Sequence, residues 1–180
     1  MLFNSFDFGL FLIVVYLLYW LVGSKQITAQ NIVLLAASYF FYGYWDWRFL
    51  GLIIFVSTQT FLFGKIIDSY RKNRKLYLAI SVFINIIVLC YFKYFNFFSG
   101  EFVNLLRLES SYTLENIILP IGISFYIFQS LTYVIDIYFK KLKPEESVIN
   151  YFTYIAFFPQ LVAGPIERAS SLLPQFKKIH

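Results

Sequence analysis

Six apolar runs, separated by charged or polar links, set the plan of this chain: residues 8–22, 31–45, 49–67, 76–98, 117–139 and 148–162. The pattern predicts an all-α, polytopic transmembrane protein with about five full spans plus a broken or re-entrant sixth segment. Several runs are shorter than the roughly 20 residues that a perpendicular span needs. The first can be lengthened towards Asn4. The second ends in YFFYGYWDW, residues 39–47, which reads as a tight interfacial turn with Trp45 and Trp47 at headgroup depth. The sixth ends in FFPQLVAGPI, where two prolines, a glycine and a glutamine interrupt otherwise oily sequence.

Composition supports the membrane reading. The 180 residues are 59% hydrophobic and only 14% charged, where a soluble domain runs nearer a quarter. A soluble core of this size has no room for so much apolar surface, and no soluble domain, low-complexity segment or internal repeat is visible. The N-terminal run lacks a basic leader and a small-residue cleavage site, so it reads as a retained first helix. The formal net charge of +5 does not point to nucleic acid, because Lys and Arg sit in short links rather than on a polar basic face. Cys90, the single cysteine, offers neither a disulfide nor a thiolate cluster.

Link charge sets an orientation in the cell membrane. Lys65, Arg71, Lys72, Arg74 and Lys75 stand against Asp68, which places the 65–75 link in the cytoplasm. The 99–116 link carries Glu101, Glu109 and Glu115 against Arg107 and fits the outside, and FKKLKPEES returns three lysines to the cytoplasm. Counting back, the N-terminus is outside. A sixth run that crossed fully would export Arg168, Lys177 and Lys178, against the same rule. A re-entrant segment removes that conflict. Non-helical backbone at membrane depth is tolerated where protein or a water-filled cavity covers it. Pro159 and Pro165 each remove an amide, and Gly164 permits close approach. The competing reading is a helix that ends at the interface and runs on as a surface loop.

Polar residues inside the runs are few. In the fifth run, ENIILPIGISFYIFQSLTYVIDIYF, Pro120 and Gly122 loosen the first turn. Gln129, Tyr133 and Asp136 then fall on one helix face, with Phe125 a turn earlier. Asp136 lies close enough to the following lysines to pair with one and fix the helix orientation. Ser81 with Asn85, and Gln59 within STQT, read as interhelical hydrogen-bonding positions. Lys93 can snorkel. His180 is the single histidine and follows FKKI with no residue placed to orient it, so it reads as a solvated terminal side chain. The sequence offers no catalytic residue, no metal site and no phosphate-binding loop, HExxH or Gly-x-Ser-x-Gly motif.

Five stretches, in order, carry a resemblance: MLFNSFDFGLFL, YFFYGYWDWRFL, YFKYFNFF, LPIGISFYIFQSLTYVIDIYF and FFPQLVAGPIERASSLLPQF. Together they resemble the N-terminal half of the membrane-bound O-acyltransferases, nearest the branch that acetylates alginate, with the D-alanyl transfer proteins more distant. The resemblance implies that residues 1–180 are the N-terminal portion of one such transmembrane domain. It implies an acyl group taken from a cytoplasmic donor, acetyl-CoA or an acyl carrier protein, with no cofactor held permanently. The implied partners are membrane lipid, the missing C-terminal half of the enzyme, extracytoplasmic acetyl-transfer proteins and a polysaccharide acceptor. Pro120, Gly122, Ser124, Phe125 and Gln129, followed by Tyr133 and Asp136, match the family's fifth segment. Pro159, Gln160, Gly164 and Pro165 match its broken one, and the two motifs would line or brace an acyl-transfer tunnel, Gln129 and Gln160 foremost. The family's presumed catalytic histidine lies downstream in another context that His180 does not match, so the fragment alone is expected to be inactive. Three other readings remain open: a complete six-segment scaffold without chemistry, a D-alanyl transfer protein, and a channel or transporter, which would show paired interrupted segments in two repeats.

Overall fold

The computed structural model describes residues 5–23, 26–105, 118–164 and 167–178. Among them the secondary structure is helical, with no strand. The long helices are α1 (Phe6–Leu21), α2 (Ile27–Gly43), α3 (Arg48–Ser69), α4 (Arg74–Leu105) and α5 (Ile123–Tyr138). Three short ones follow: α6 (Val148–Ala156), α7 (Phe158–Ala163) and α8 (Ala169–Leu172). At 1.5 Å per residue, α3 and α4 reach about 33 and 48 Å, whereas α1, α2 and α5 reach only about 24–26 Å. Two helical stretches, Arg48–Ser69 and Arg71–Phe95, are therefore long and apolar enough to cross a membrane by themselves, among the described residues.

The core forms where α3 and α5 pack along each other, with α4 and α6 on either side and α2 against α6. On α5 the buried positions Ile123, Tyr126, Ile127, Ser130, Tyr133, Val134 and Ile137 repeat at three- and four-residue spacing, giving one inward stripe. They meet Ile53, Val56 and Ile67 of α3 and Tyr151, Tyr154 and Ile155 of α6. Gly64 is what lets α3 and α5 come this close: a Cβ there would lie 2.7 Å from Tyr133 Cε1. The opposite faces of α1 and α4 stay apolar and exposed, as at Ile13, Leu17, Phe83 and Ile87. Surfaces of that kind suit lipid rather than water.

Arg74 ties the first end of the bundle. Its Nε donates to the Ile67 carbonyl (2.9 Å) and its Nη2 to those of Ile137 (3.1 Å) and Tyr138 (2.9 Å). One guanidinium thus serves the carbonyls, and the negative dipole ends, of α3 and α5 together. At the other end the α2–α3 turn is shorter than the sequence indicates. Residues 39–43 continue α2 because Phe41 and Tyr42 are buried on its inner face, leaving 44–47 as the turn. Asp46 accepts from the Arg48 amide (3.0 Å) and guanidinium (2.6 Å), and that guanidinium holds the Asp46 carboxyl below its usual range. Trp45 and Trp47 are exposed there.

The fifth and sixth runs are broken, at positions their prolines and glycines explain. Residues 118–122 are not helical: Gly122 takes a left-handed φ of 73°, and α5 starts only at Ile123. In the sixth run α6 stops at Ala156, Phe157 turns extended (φ −55°, ψ 105°), and α7 restarts at Phe158. A continuous helix would push the Pro159 ring against the Ile155 carbonyl and lose that hydrogen bond.

Asp136 does not pair as the sequence suggests. Its backbone carbonyl accepts from the Lys141 (2.8 Å) and Leu142 (3.3 Å) amides as α5 closes, and its side chain makes no ion pair among the described residues. The carboxylate that pairs is Glu145 in the next link, 5% exposed, with Lys177 Nζ 2.8 Å from its Oε2. Lys177 lies in a 3-10 turn, Gln175–Lys177, whose Phe176 carbonyl accepts from Asn31 Nδ2 (2.8 Å). Asn31 also donates to Asn150 Oδ1 of α6 (2.9 Å). The chain therefore comes back, after α7 and α8, to the end of the bundle from which α6 departs.

Candidate functional site

The two motifs singled out in the sequence meet in the fold. A Cβ at Gly122 would lie 2.7 Å from the Leu161 carbonyl oxygen, so the loop before α5 and the short helix α7 touch backbone to backbone. Pro120, Ile123 and Leu161 are buried around the contact. The break itself is held from the far side by Ser38 of α2, whose Oγ accepts from the Phe158 amide (3.2 Å) and donates to Leu34 O (2.7 Å). One of the amides left open by the restart of α7 is thereby satisfied inside the protein.

Phe158 anchors this irregular backbone. Its ring sits among Phe11, Phe41 and Phe8 at centroid distances of 5.3, 5.6 and 6.4 Å, two of the contacts edge-on. Neighbouring Pro159 is exposed and lines an apolar, half-open cavity of about 350 Å³. Tyr16, Tyr19 and Trp20 of α1, Leu34 of α2, and Leu172 and Phe176 beyond the break form its other walls.

A tyrosine layer joins α3, α5 and α6 next to the break. Tyr133 and Tyr151 are fully buried with ring centroids 4.4 Å apart. The Tyr151 hydroxyl donates to Thr60 Oγ1 (2.7 Å), and the Tyr133 hydroxyl accepts from the Glu145 amide (2.9 Å). Tyr154 donates to Glu167 O across the broken segment (3.2 Å). These bonds hold polar atoms that lipid would leave unpaired.

The sequence-picked residues divide by position. Gln129, Tyr133 and Gln160 are buried, Ser124, Phe125 and Asp136 are half-buried, and Gly164 folds back on Gln160, with 3.0 Å between its built Cβ and Gln160 Cα. Pro165 and His180 lie outside the described residues. Of the expected interhelical pair, Ser81 Oγ donates to Gln59 Oε1 (3.2 Å), while Asn85 Nδ2 turns back to the Ser81 carbonyl of its own helix (2.8 Å). Glu145, Lys177, Asn31, Asn150 and Phe158 carry contacts that the sequence pattern did not single out. The two asparagines were the findable ones, as amides inside or at the edge of apolar runs.

Among the described residues no group of three or more His, Cys, Asp or Glu could hold a metal, and Cys90 is exposed. What these residues build is a braced wall: irregular backbone packed where α1 and α5 begin and α2 ends, fixed by close packing and buried hydrogen bonds.

Comparisons with known proteins give this wall a setting. A probable alginate O-acetylase of Pseudomonas syringae is 34% identical over 183 aligned residues, covering 98% of this chain and 35% of the relative. Its counterpart in Pseudomonas aeruginosa is 35% identical, covering 98% of the chain and 34% of the relative. A peptidoglycan O-acetyltransferase of Helicobacter pylori is 31% identical over 80% of the chain and 32% of its own length. No family model and no solved structure matches. The chain spans about a third of the length of the curated relatives it matches. Its likeness to the two alginate O-acetylases runs nearly end to end, and these relatives, with the peptidoglycan O-acetyltransferase, are members of the membrane-bound O-acyltransferase family that the chain resembles.

Proposed function

We propose that residues 1–180 form part of a membrane O-acetyltransferase that carries acetyl groups from a cytoplasmic donor, acetyl-CoA or an acyl carrier protein, to a polysaccharide or peptidoglycan acceptor outside. The observation that carries this reading is the 34–35% identity to alginate O-acetylases over 98% of the chain. In this reading the 180 residues are one portion of a single transmembrane domain, and the rest of the enzyme and extracytoplasmic transfer proteins are its partners. Helices α1 to α5 cross the membrane, with the N-terminus outside and the 65–75 link inside. The shorter helices complete their spans with flanking aromatic residues. The α6–α7 segment enters from the cytoplasmic side and returns to it. The contact of Lys177 with Glu145 supports that path, because both ends of the segment then lie on one side. The Gly122–Leu161 contact braces the wall beside which acyl transfer occurs, with Gln129 and Gln160 as bracing or lining amides. The base that takes the acceptor's hydroxyl proton comes from outside these residues, and His180 has no part in it.

A chimera tests the reading. Replacing the homologous third of the Pseudomonas aeruginosa alginate O-acetylase with this chain should retain alginate O-acetylation, read by acetyl release from the polymer. A chimera that inserts in the membrane at wild-type level yet leaves both alginate and peptidoglycan unacetylated would favour a scaffold without chemistry. The chain by itself should give no acetyl-CoA-dependent transfer. Turnover lost on His180→Ala would overturn the assignment of the base elsewhere.

A further inference from the structure

Where α3 and α5 finish and α4 begins, Arg71, Lys72, Lys75 and Lys140 surround an open concavity of about 540 Å³ with Tyr138 and Phe139 as its apolar wall. All four cations are exposed, and none makes an ion pair among the described residues. Arg74, on the same rim, is committed to three helix-end carbonyls, which leaves its neighbours free to meet a ligand.

Lys140 is held there against its own preference. It follows Phe139, the residue that caps α5, at φ 59°, and its amide bonds Ile137 O (3.0 Å) while that of Lys141 bonds Asp136 O (2.8 Å). Glycine is the usual residue at this position of such a helix stop, and an L side chain there is disfavoured about tenfold. The chain keeps a lysine where its charge completes the ring of cations.

Directly after the basic residues, α4 exposes Leu76, Ile80, Phe83 and Ile87 at steps of four, three and four, so they form one stripe running away from the concavity. A free phosphate would use the cations alone. A ligand with an anionic head and an acyl tail uses both surfaces in the order in which they stand.

We propose that this concavity binds the phosphate of an anionic phospholipid whose acyl chain lies along Leu76, Ile80 and Phe83. The site needs α4 to face lipid, as in the reading above, but it does not depend on acyl transfer. Basic clusters at the cytoplasmic end of a membrane helix attract such headgroups electrostatically.

The test is native mass spectrometry of the purified chain in detergent with equimolar phosphatidylglycerol and phosphatidylcholine. Retention of phosphatidylglycerol should exceed that of phosphatidylcholine by about tenfold, and Arg71→Gln/Lys72→Gln/Lys75→Gln/Lys140→Gln should abolish the preference. Lys140→Gly should weaken retention severalfold while raising Tm, a combination that unfolding does not produce. Leu76→Ser/Ile80→Ser should lower retention with the cations intact. Equal retention of the two lipids by the unaltered chain, or a preference that survives the fourfold substitution, overturns the proposal. Coenzyme A and glycerol 3-phosphate at micromolar concentration should leave the lipid in place; displacement by either assigns the site to a soluble phosphate instead. Release of the chain from membranes by alkaline carbonate would strike at the membrane reading itself, and this site would fall with it.

Discussion

Gly122→Ala is the substitution that most directly loads the joint between the fifth and sixth segments. Two costs add. At φ 73° an L residue loses about 1–2 kcal/mol relative to glycine. The new Cβ would also stand 2.7 Å from Leu161 O and 3.6 Å from Leu161 C. The obstacle is backbone, so no rotamer change relieves it and α7 must move away by about half an ångström; overpacking of this kind costs about 1–3 kcal/mol. Together the loss is about 2–5 kcal/mol. Even the lower figure lowers Tm by about 4–8 °C for a protein of this size. Size-exclusion after stepwise heating in detergent reads the shift. Gly51→Ala is the control, since Gly51 lies exposed in α3 with nothing within 4 Å of a built Cβ, and it should leave Tm unchanged or raise it. Because the clash is with main chain, Leu161→Ala should fail to rescue the variant. A Gly122→Ala protein as stable as the Gly51→Ala control would refute the argument that these motifs meet in close backbone contact.

The buried polar contacts give three further expectations. Thr60→Val takes away the acceptor 2.7 Å from the Tyr151 hydroxyl, leaving it only the Ser130 hydroxyl as a partner, and should cost about 1 kcal/mol by thermal denaturation. Lys177→Gln and Glu145→Gln should each destabilise by about 1 kcal/mol, Lys177→Gln more, because it leaves a nearly buried carboxylate without its cation; a double-mutant cycle showing no coupling would discount the pair. Asn31→Leu removes the donor to both Asn150 and Phe176, and should speed proteolysis after residue 167 while leaving the cleavage pattern of α3 and α4 as it was.

Much of this architecture is legible in the sequence, for reasons that particular residues show. The apolar runs become helices because hydrophobic patterning is read directly in local structure, and Pro120, Gly122 and Pro159 mark the two breaks because they act on their own backbone. The turn read over YFFYGYWDW shrinks to residues 44–47 because Phe41 and Tyr42 are kept helical by partners on α1 and α5. Asp136 misled for a similar reason. Nearness to lysines in sequence suggested a pair, but the closing turn of α5 uses the backbone, and the lysines point outward. The ion pair that forms joins Glu145 to Lys177, 32 positions apart, and no local pattern announces it. Phe158 shows the same limit: as one of 23 phenylalanines it carried no signal until α1 and α2 closed around it.

The proposed function rests on a sixth segment that enters the bilayer and returns to the side it left. Thiol labelling tests it most directly, in a Cys90→Ser background with Trp47→Cys, Lys143→Cys or Lys178→Cys added one at a time. A membrane-impermeant maleimide should label Trp47→Cys in intact cells, and should reach Lys143→Cys and Lys178→Cys only in inverted vesicles. Labelling of Lys178→Cys from outside, with Lys143→Cys still reached only from inside, would contradict it.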